Sequence, residues 1–256
     1  MEGDRDSLIS VDSDKDSNAS YDSIFDDDAV EPPQEIPVAL DVAPPIPGLY
    51  FDPNIRIPQD VSDTVVRFCE DTYFTSPKAN QVMLFGRSPA AEEAADGVSG
   101  LPSALLALLE TLATTMRPIL PDSTFDLLFP STPTQARQAI VNLYQPGEGI
   151  TPHVDLLGRY ADGIIGVSFG SGCVMRFDKN EWDGSGGDER PRWDVYIPER
   201  SIIVLSEEAR YEWTHGIDKR TQDYVCDNVD GGMWVERGTR ISITFRWMLE
   251  GADVLS

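Results

Sequence analysis

Arg240-Ile-Ser-Ile-Thr-Phe-Arg246 alternates between polar and apolar at every residue. Successive side chains of a strand point to opposite faces, so the stretch reads as a β-strand with two unlike sides. Ile241, Ile243 and Phe245 form the side that would pack on a core. Arg240, Ser242, Thr244 and Arg246 form the other. If that side looks outward, both arginines are merely solvated. If it looks into a barrel, two guanidiniums are costly to bury without anionic partners. Other short runs rich in Ile, Val, Phe and Tyr occupy 138–145, 163–169, 172–177, 193–197 and 201–206, broken by Gly, Pro and Asp. Such spacing predicts a β-sandwich or barrel. In 138–145, Ile140, Asn142 and Tyr144 share one face, and Ala139, Val141 and Leu143 the other.

Two helices precede these runs. Val61, Val65, Phe68, Cys69 and Tyr73 recur at helical spacing, with Asp60 placed as N-cap. A second helix starts at Ser103, with Leu105, Leu108, Leu109, Leu112 and Met116 on one stripe. The segment 80–87 between them reads as a strand. Helices ahead of an all-β half make the class α+β. The stretches 178–190 and 218–238 read as long loops, which in compact domains are usually functional or mobile.

A chain of 256 residues has room for one sizeable core, here expected over 46–256. Residues 1–45 are expected to be a disordered tail, acidic and then proline-rich, which buries too little to offset its ordering entropy. Ser7, Ser13, Ser17 and Ser23 sit beside acids there and resemble acid-directed kinase sites; the plainer reading is an inert solvated tail. The formal charge is −24; the first 35 residues hold twelve acids and two bases, so most of the negative charge lies beyond them. An acidic body argues against a long cationic surface for bulk nucleic acid, though not against a small basic patch. Cys69, Cys173 and Cys226 are far apart and form neither a disulfide framework nor a zinc pattern. No secretion signal or membrane-length apolar run is visible, so a cytoplasmic or nuclear monomer with no membrane partner is expected.

The chain has two histidines. His153 and Asp155 make a His-x-Asp pair in Thr-Pro-His-Val-Asp, and His215 lies in Glu-Trp-Thr-His-Gly-Ile. Two imidazoles and one carboxylate with open positions describe the facial triad of non-haem Fe(II) oxygenases. A three-residue pattern also arises by chance, with both histidines as ordinary polar residues at strand ends. Asn142 and Tyr144 would add hydrogen-bonding groups nearby, or else be a turn residue and a core aromatic.

Taken in order, Asn142-Leu-Tyr144, His153-Val-Asp155, His215 and Arg240-x5-Arg246 resemble the AlkB family of Fe(II)/2-oxoglutarate dioxygenases over about residues 46–249. Arg-Tyr-Glu-Trp-Thr-His-Gly-Ile (210–217) is similar to the branch containing the eukaryotic tRNA wobble-uridine hydroxylase, with support from 145–153 and 167–175. The resemblance implies a double-stranded β-helix, or jelly roll, with Fe(II), 2-oxoglutarate and O2 at its mouth. It implies His153, Asp155 and His215 as catalytic metal ligands. It implies Arg240 on the distal carboxylate of 2-oxoglutarate, Asn142 and Tyr144 hydrogen-bonding that cosubstrate, and Arg246 near its metal-bound end. Ser242 stands where bacterial members carry an Asn that touches the cosubstrate, and a shorter hydroxyl reaches less far. The segment 80–87 matches the approach to a substrate lid.

Two departures stand out. DNA-repair members carry an acid two positions after the ligand Asp, where this chain has Leu157, so repair of methylated DNA is doubtful. The interval from His215 to Arg240 is longer than in the bacterial enzyme, as in the wobble-uridine branch. Leu156, Leu157, Tyr160 and Trp213 would wall the site, or equally pack in the core. Three readings follow. The first is hydroxylation or oxidative demethylation of a nucleic-acid base, RNA ahead of DNA. The second is the same chemistry on a protein side chain, and the third a non-catalytic binding module. A basic rim at the mouth would favour RNA, and an acidic or apolar rim protein.

Overall fold

The computed structural model describes residues 37–86, 100–181, 190–226 and 231–252. The acidic tail and its serines lie outside them. Twelve strands and four helices are described: β1 (Leu49–Arg56), α1 (Gln59–Thr72), β2 (Gln81–Phe85), α2 (Ser103–Met116), α3 (Asp122–Leu128), β3 (Arg137–Tyr144), β4 (Ile150–His153), β5 (Tyr160–Phe169), β6 (Cys173–Lys179), β7 (Arg192–Ile197), β8 (Ser201–Leu205), α4 (Glu207–Tyr211), β9 (Trp213–Ile217), β10 (Gln222–Val225), β11 (Met233–Glu236) and β12 (Arg240–Met248).

Six strands form a large antiparallel sheet in the order β1-β8-β5-β12-β3-β2, and four form a smaller one in the order β4-β9-β6-β7. The result is a jelly roll, and alternation in single strands builds its layers. Ile165, Val167, Ile202, Val204, Ile241, Ile243 and Phe245 join one cluster with the α1 residues Val65 and Cys69 and the α2 residues Leu105, Leu108, Leu112 and Met116. Their neighbours Ile164, Ile203 and Leu205 turn the other way, into a second cluster with Phe177, Val195, Ile197 and Trp213 between the sheets. One pleat thus serves the helix layer and the interior at once. The stripe expected on α2 is present, with Leu109 only half-buried.

Three expectations need correction. Asp60 is not the N-cap of α1: Pro58 holds that position with extended backbone, and Asp60 sits in the first turn, where its charge suits the helix dipole. The interval 218–238 is not simply a loop. It contains the hairpin β10–β11, paired from Gln222↔Glu236 to Val225↔Met233. Its polar sequence hides it because Asp223 is buried as a counter-ion, accepting from Arg220 Nε at 2.7 Å and Arg237 Nε at 2.6 Å. The packed body also begins before residue 46. Ala39 is wholly buried, donating to Tyr224 O at 2.8 Å, while Leu40 donates to Asp194 O at 2.8 Å. These backbone bonds stitch the segment between the β10–β11 hairpin and strand β7 of the smaller sheet.

Candidate active site

The polar side of β12 looks inward. Arg240, Ser242 and Arg246 are all nearly inaccessible, so the reading with solvated arginines is excluded. Register carries the rest of the site: Arg240 stands opposite Tyr144, Ser242 opposite Asn142, and Arg246 opposite Gln138.

At one end of the cavity, Arg240 donates from Nε and Nη2 to the Ser168 hydroxyl at 3.0 and 2.9 Å. Its guanidinium lies 5.3 Å from the centre of the Tyr144 ring. Arg240 Nη1 is buried with no hydrogen-bond partner among the described residues. Burial raises the Tyr144 pKa, against the pull of Arg240, so the phenol keeps its proton. Ser242 is buried opposite Asn142, and its hydroxyl together with Arg240 pulls the Tyr144 pKa down, though less than burial raises it. Asn142 Oδ1 accepts from Gln81 Nε2 at 2.8 Å.

At the other end, Arg246 Nη1 donates to Asp155 Oδ1, and Arg246 Nε donates to Gln138 Oε1 at 2.7 Å. The guanidinium stacks 3.6 Å from the centre of the Tyr160 ring. His153 and His215 are cross-strand partners on β4 and β9, their ring centroids 4.6 Å apart. His215 Nε2 lies 3.8 Å from Asp155 Oδ2. His153 Nδ1 pairs with Thr151 O at 2.8 Å, which assigns the proton to Nδ1 and the ring's lone pair to Nε2. Burial, reinforced by His153 and Arg210, pushes the His215 pKa down to about 3, so this imidazole is neutral, as a metal ligand must be.

Strand register and burial thus place Asn142, Tyr144, Arg240, Ser242 and Arg246 on facing inward sides of β3 and β12, and contacts join Arg246 to Asp155 and Asp155 to the two histidines. Among the described residues, no three His, Cys, Asp or Glu side chains already meet at a single point. His153, Asp155 and His215 lie side by side instead, with Oδ1 of the carboxylate held by Arg246. The set fits its implied occupants. Two imidazoles with one carboxylate suit Fe(II), and an unpartnered buried guanidinium nitrogen suits a carboxylate of a keto diacid.

Sequence reasoning missed two residues. Arg210 on α4 is almost fully buried and donates to the carbonyls of Asp155 at 3.0 Å, Tyr160 at 3.1 Å and Ala161 at 3.4 Å. It thereby pins the loop that presents Asp155. Gln138 is the other, visible beforehand only as the next inward residue before Ile140. The expected apolar wall divides. Tyr160 lies under Arg246 and Trp213 packs between the sheets, whereas Leu156 and Leu157 are exposed beside Asp155.

Residues 71–246 match the family described as the 2OG-Fe(II) oxygenase superfamily. A 109-residue stretch is 44% identical to an uncharacterised protein of Acanthamoeba polyphaga mimivirus, covering 43% of this chain and 47% of that protein. The Xenopus tropicalis tRNA (carboxymethyluridine(34)-5-O)-methyltransferase alkbh8 is 37% identical over 122 residues, 43% of this chain and 18% of its own length. A Danio rerio protein named probable RNA/DNA demethylase ALKBH6 is 25% identical over 213 residues, 78% of this chain and 85% of that one. The chain thus matches less than half the length of the first two relatives. No described helix is long and apolar enough to cross a membrane.

Proposed function

The chain belongs to the 2OG-Fe(II) oxygenase superfamily, related to its AlkB branch, and on that premise we propose that it hydroxylates or oxidatively demethylates a base in RNA. Membership brings Fe(II), 2-oxoglutarate and O2, which together oxidise a C–H bond while the keto acid is converted to succinate and CO2. The observation that carries the reading is Arg240 Nη1, a buried donor with no partner among the described residues, on the same inward strand face as Arg246, which holds Asp155 beside His153 and His215.

His153, Asp155 and His215 would hold the metal. Arg240 would take the distal carboxylate bidentately, backed by Ser168, with the protonated Tyr144 as a further donor. Arg246 orients the Asp155 carboxylate through its hydrogen bond to Oδ1. Tyr160 and the cluster between the sheets close the interior to water. The names of the two eukaryotic relatives support RNA as substrate. A specific observation favours the alternative, a protein side chain: the two residues that follow Asp155, Leu156 and Leu157, are apolar and exposed. A reducing compartment, cytoplasm or nucleus, suits three free cysteines.

The test is succinate release from 2-oxoglutarate with Fe(II), comparing wild type with Asp155→Ala and Arg240→Ala. Wild-type turnover should be strongly reduced by either change and by a chelator. Equal background in all three proteins refutes the enzyme. Stimulation by tRNA supports the RNA reading, and stimulation only by protein extract replaces it with the alternative.

A further inference from the structure

Gln138 has no exposed surface and shares the inward face of β3 with Asn142 and Tyr144. Its amide oxygen accepts the Arg246 Nε hydrogen at 2.7 Å. A guanidinium only donates, so this contact fixes the amide's orientation, oxygen toward Arg246 and nitrogen away. The nitrogen so directed is buried and has no hydrogen-bond partner among the described residues. Native proteins satisfy most buried donors, because a donor that has lost water and gained nothing is unfavourable. Arg240 Nη1, at the opposite end of the same strand pair, is in the same condition. The two nitrogens lie on the inward faces of one strand pair, one at each end, and each could donate to an acceptor oxygen there. The Arg240 end suits the distal carboxylate of the keto diacid. The Gln138 end lies beside Arg246, and through it beside Asp155.

We propose that Gln138 Nε2 is a ligand-binding donor for a second acceptor oxygen at the Asp155 end of the cavity. That oxygen comes either from the keto-acid end of 2-oxoglutarate or from a carbonyl of the substrate. The inference rests on the dioxygenase reading. It gives Gln138 two separable jobs, since Oε1 orients Arg246 while Nε2 meets the ligand.

Two variants divide these jobs. Gln138→Glu keeps an oxygen for Arg246 and removes the donor; Gln138→Met removes both. The full chain loaded with Mn(II) is titrated with 2-oxoglutarate by calorimetry, its melting temperature is recorded, and tRNA-stimulated turnover is followed separately with Fe(II). Gln138→Glu is expected to melt close to wild type, and Gln138→Met, which leaves Arg246 Nε without its acceptor, somewhat lower. Both should weaken one constant by about tenfold, the worth of one hydrogen bond. A raised Kd for 2-oxoglutarate assigns the acceptor to the cosubstrate. An unchanged Kd with a raised KM for tRNA assigns it to the substrate. Wild-type values in Gln138→Glu alongside a defect in Gln138→Met overturn the proposal, because Gln138 then only anchors Arg246. Wild-type behaviour of both variants overturns it as well. A wild-type protein that binds no 2-oxoglutarate overturns the dioxygenase reading itself and takes this inference with it.

Discussion

Replacing Arg210 by Met should damage the protein in two measurable ways. The guanidinium is 2% exposed and meets no carboxylate at hydrogen-bonding distance; its partners are the carbonyls of Asp155, Tyr160 and Ala161. Burial lowers its pKa, which shows that desolvation works against it, with Tyr211 and Asp162 opposing. Hydrogen bonds from a charged donor contribute about 1.5–3 kcal/mol each, and two of these three have good length. Methionine fills similar space but removes the donor from these three carbonyls, two of them in buried contacts. Weighing the lost bonds against the relieved desolvation leaves a net cost of about 3–5 kcal/mol, the usual range for breaking a buried polar network.

Urea unfolding of the metal-free protein should therefore show a lowered midpoint with an unchanged slope. Because the same three bonds hold the loop that carries Asp155, Mn(II) affinity measured by calorimetry should fall more than about tenfold. Arg210→Lys should recover little, since a compact ammonium cannot span three carbonyls as a planar fork does. A stability loss below about 1 kcal/mol in Arg210→Met would refute the bookkeeping. A large stability loss with wild-type Mn(II) affinity would show that Arg210 holds the fold without positioning Asp155.

Arg240→Lys should raise the KM for 2-oxoglutarate by more than about tenfold with little change in melting temperature, because the ammonium loses bidentate geometry but keeps the charge. Gly48→Ala should destabilise by about 1–3 kcal/mol in a thermal melt: Gly48 has φ +80°, and an added Cβ would collide with the Ser206 carbonyl. Asp223 makes stability depend on acid. Burial raises its pKa, but hydrogen bonds and charge from Arg237 and Arg220 outweigh burial and hold it below the ordinary 3.8. A depressed folded-state pKa means stability that is present above 3.8 and lost as pH falls through the folded value. Unfolding free energy measured from neutral pH to below pH 3.8 should drop more steeply in wild type than in Asp223→Asn, which starts lower and stays flatter.

What could be read beforehand follows from where each signal resides. β12 and β3 alternate strictly because one face packs on helices and the other lines the cavity, so pattern and register survive in the sequence. The His-x-Asp pair was legible because its two residues are near neighbours in the chain. Arg210 was not, because its partners are main-chain carbonyls and have no side-chain signature. The hairpin β10–β11 was hidden because its inward residue is an ionised Asp223, which reads as loop chemistry until two arginines are brought to it. Ala39 and Leu40 were assigned to a tail because their value lies in backbone pairing with distant strands.

The cavity's charges make its two occupants depend on each other. Arg246 pairs with Asp155, Arg240 is buried on the same strand face without a carboxylate partner among the described residues, and His215 is neutral, which leaves one net positive charge among these side chains. A divalent cation alone would add to that excess and would compete with Arg246 for the same carboxylate. A keto diacid alone would reverse the excess and leave its keto-acid end without a metal. Together the dication and the dianion cancel, and the buried space keeps the net charge the protein already balances. Each ligand should therefore bind more tightly when the other is present. By linkage the factor must be the same in both directions, so the gain in Mn(II) affinity with 2-oxoglutarate must equal the gain in 2-oxoglutarate affinity with Mn(II). Arg246 would be the hinge of this coupling, because it already pairs with Asp155 and would lie beside a keto acid bound at the metal. Shortening it to Lys should reduce the shared factor more than it reduces either affinity measured alone.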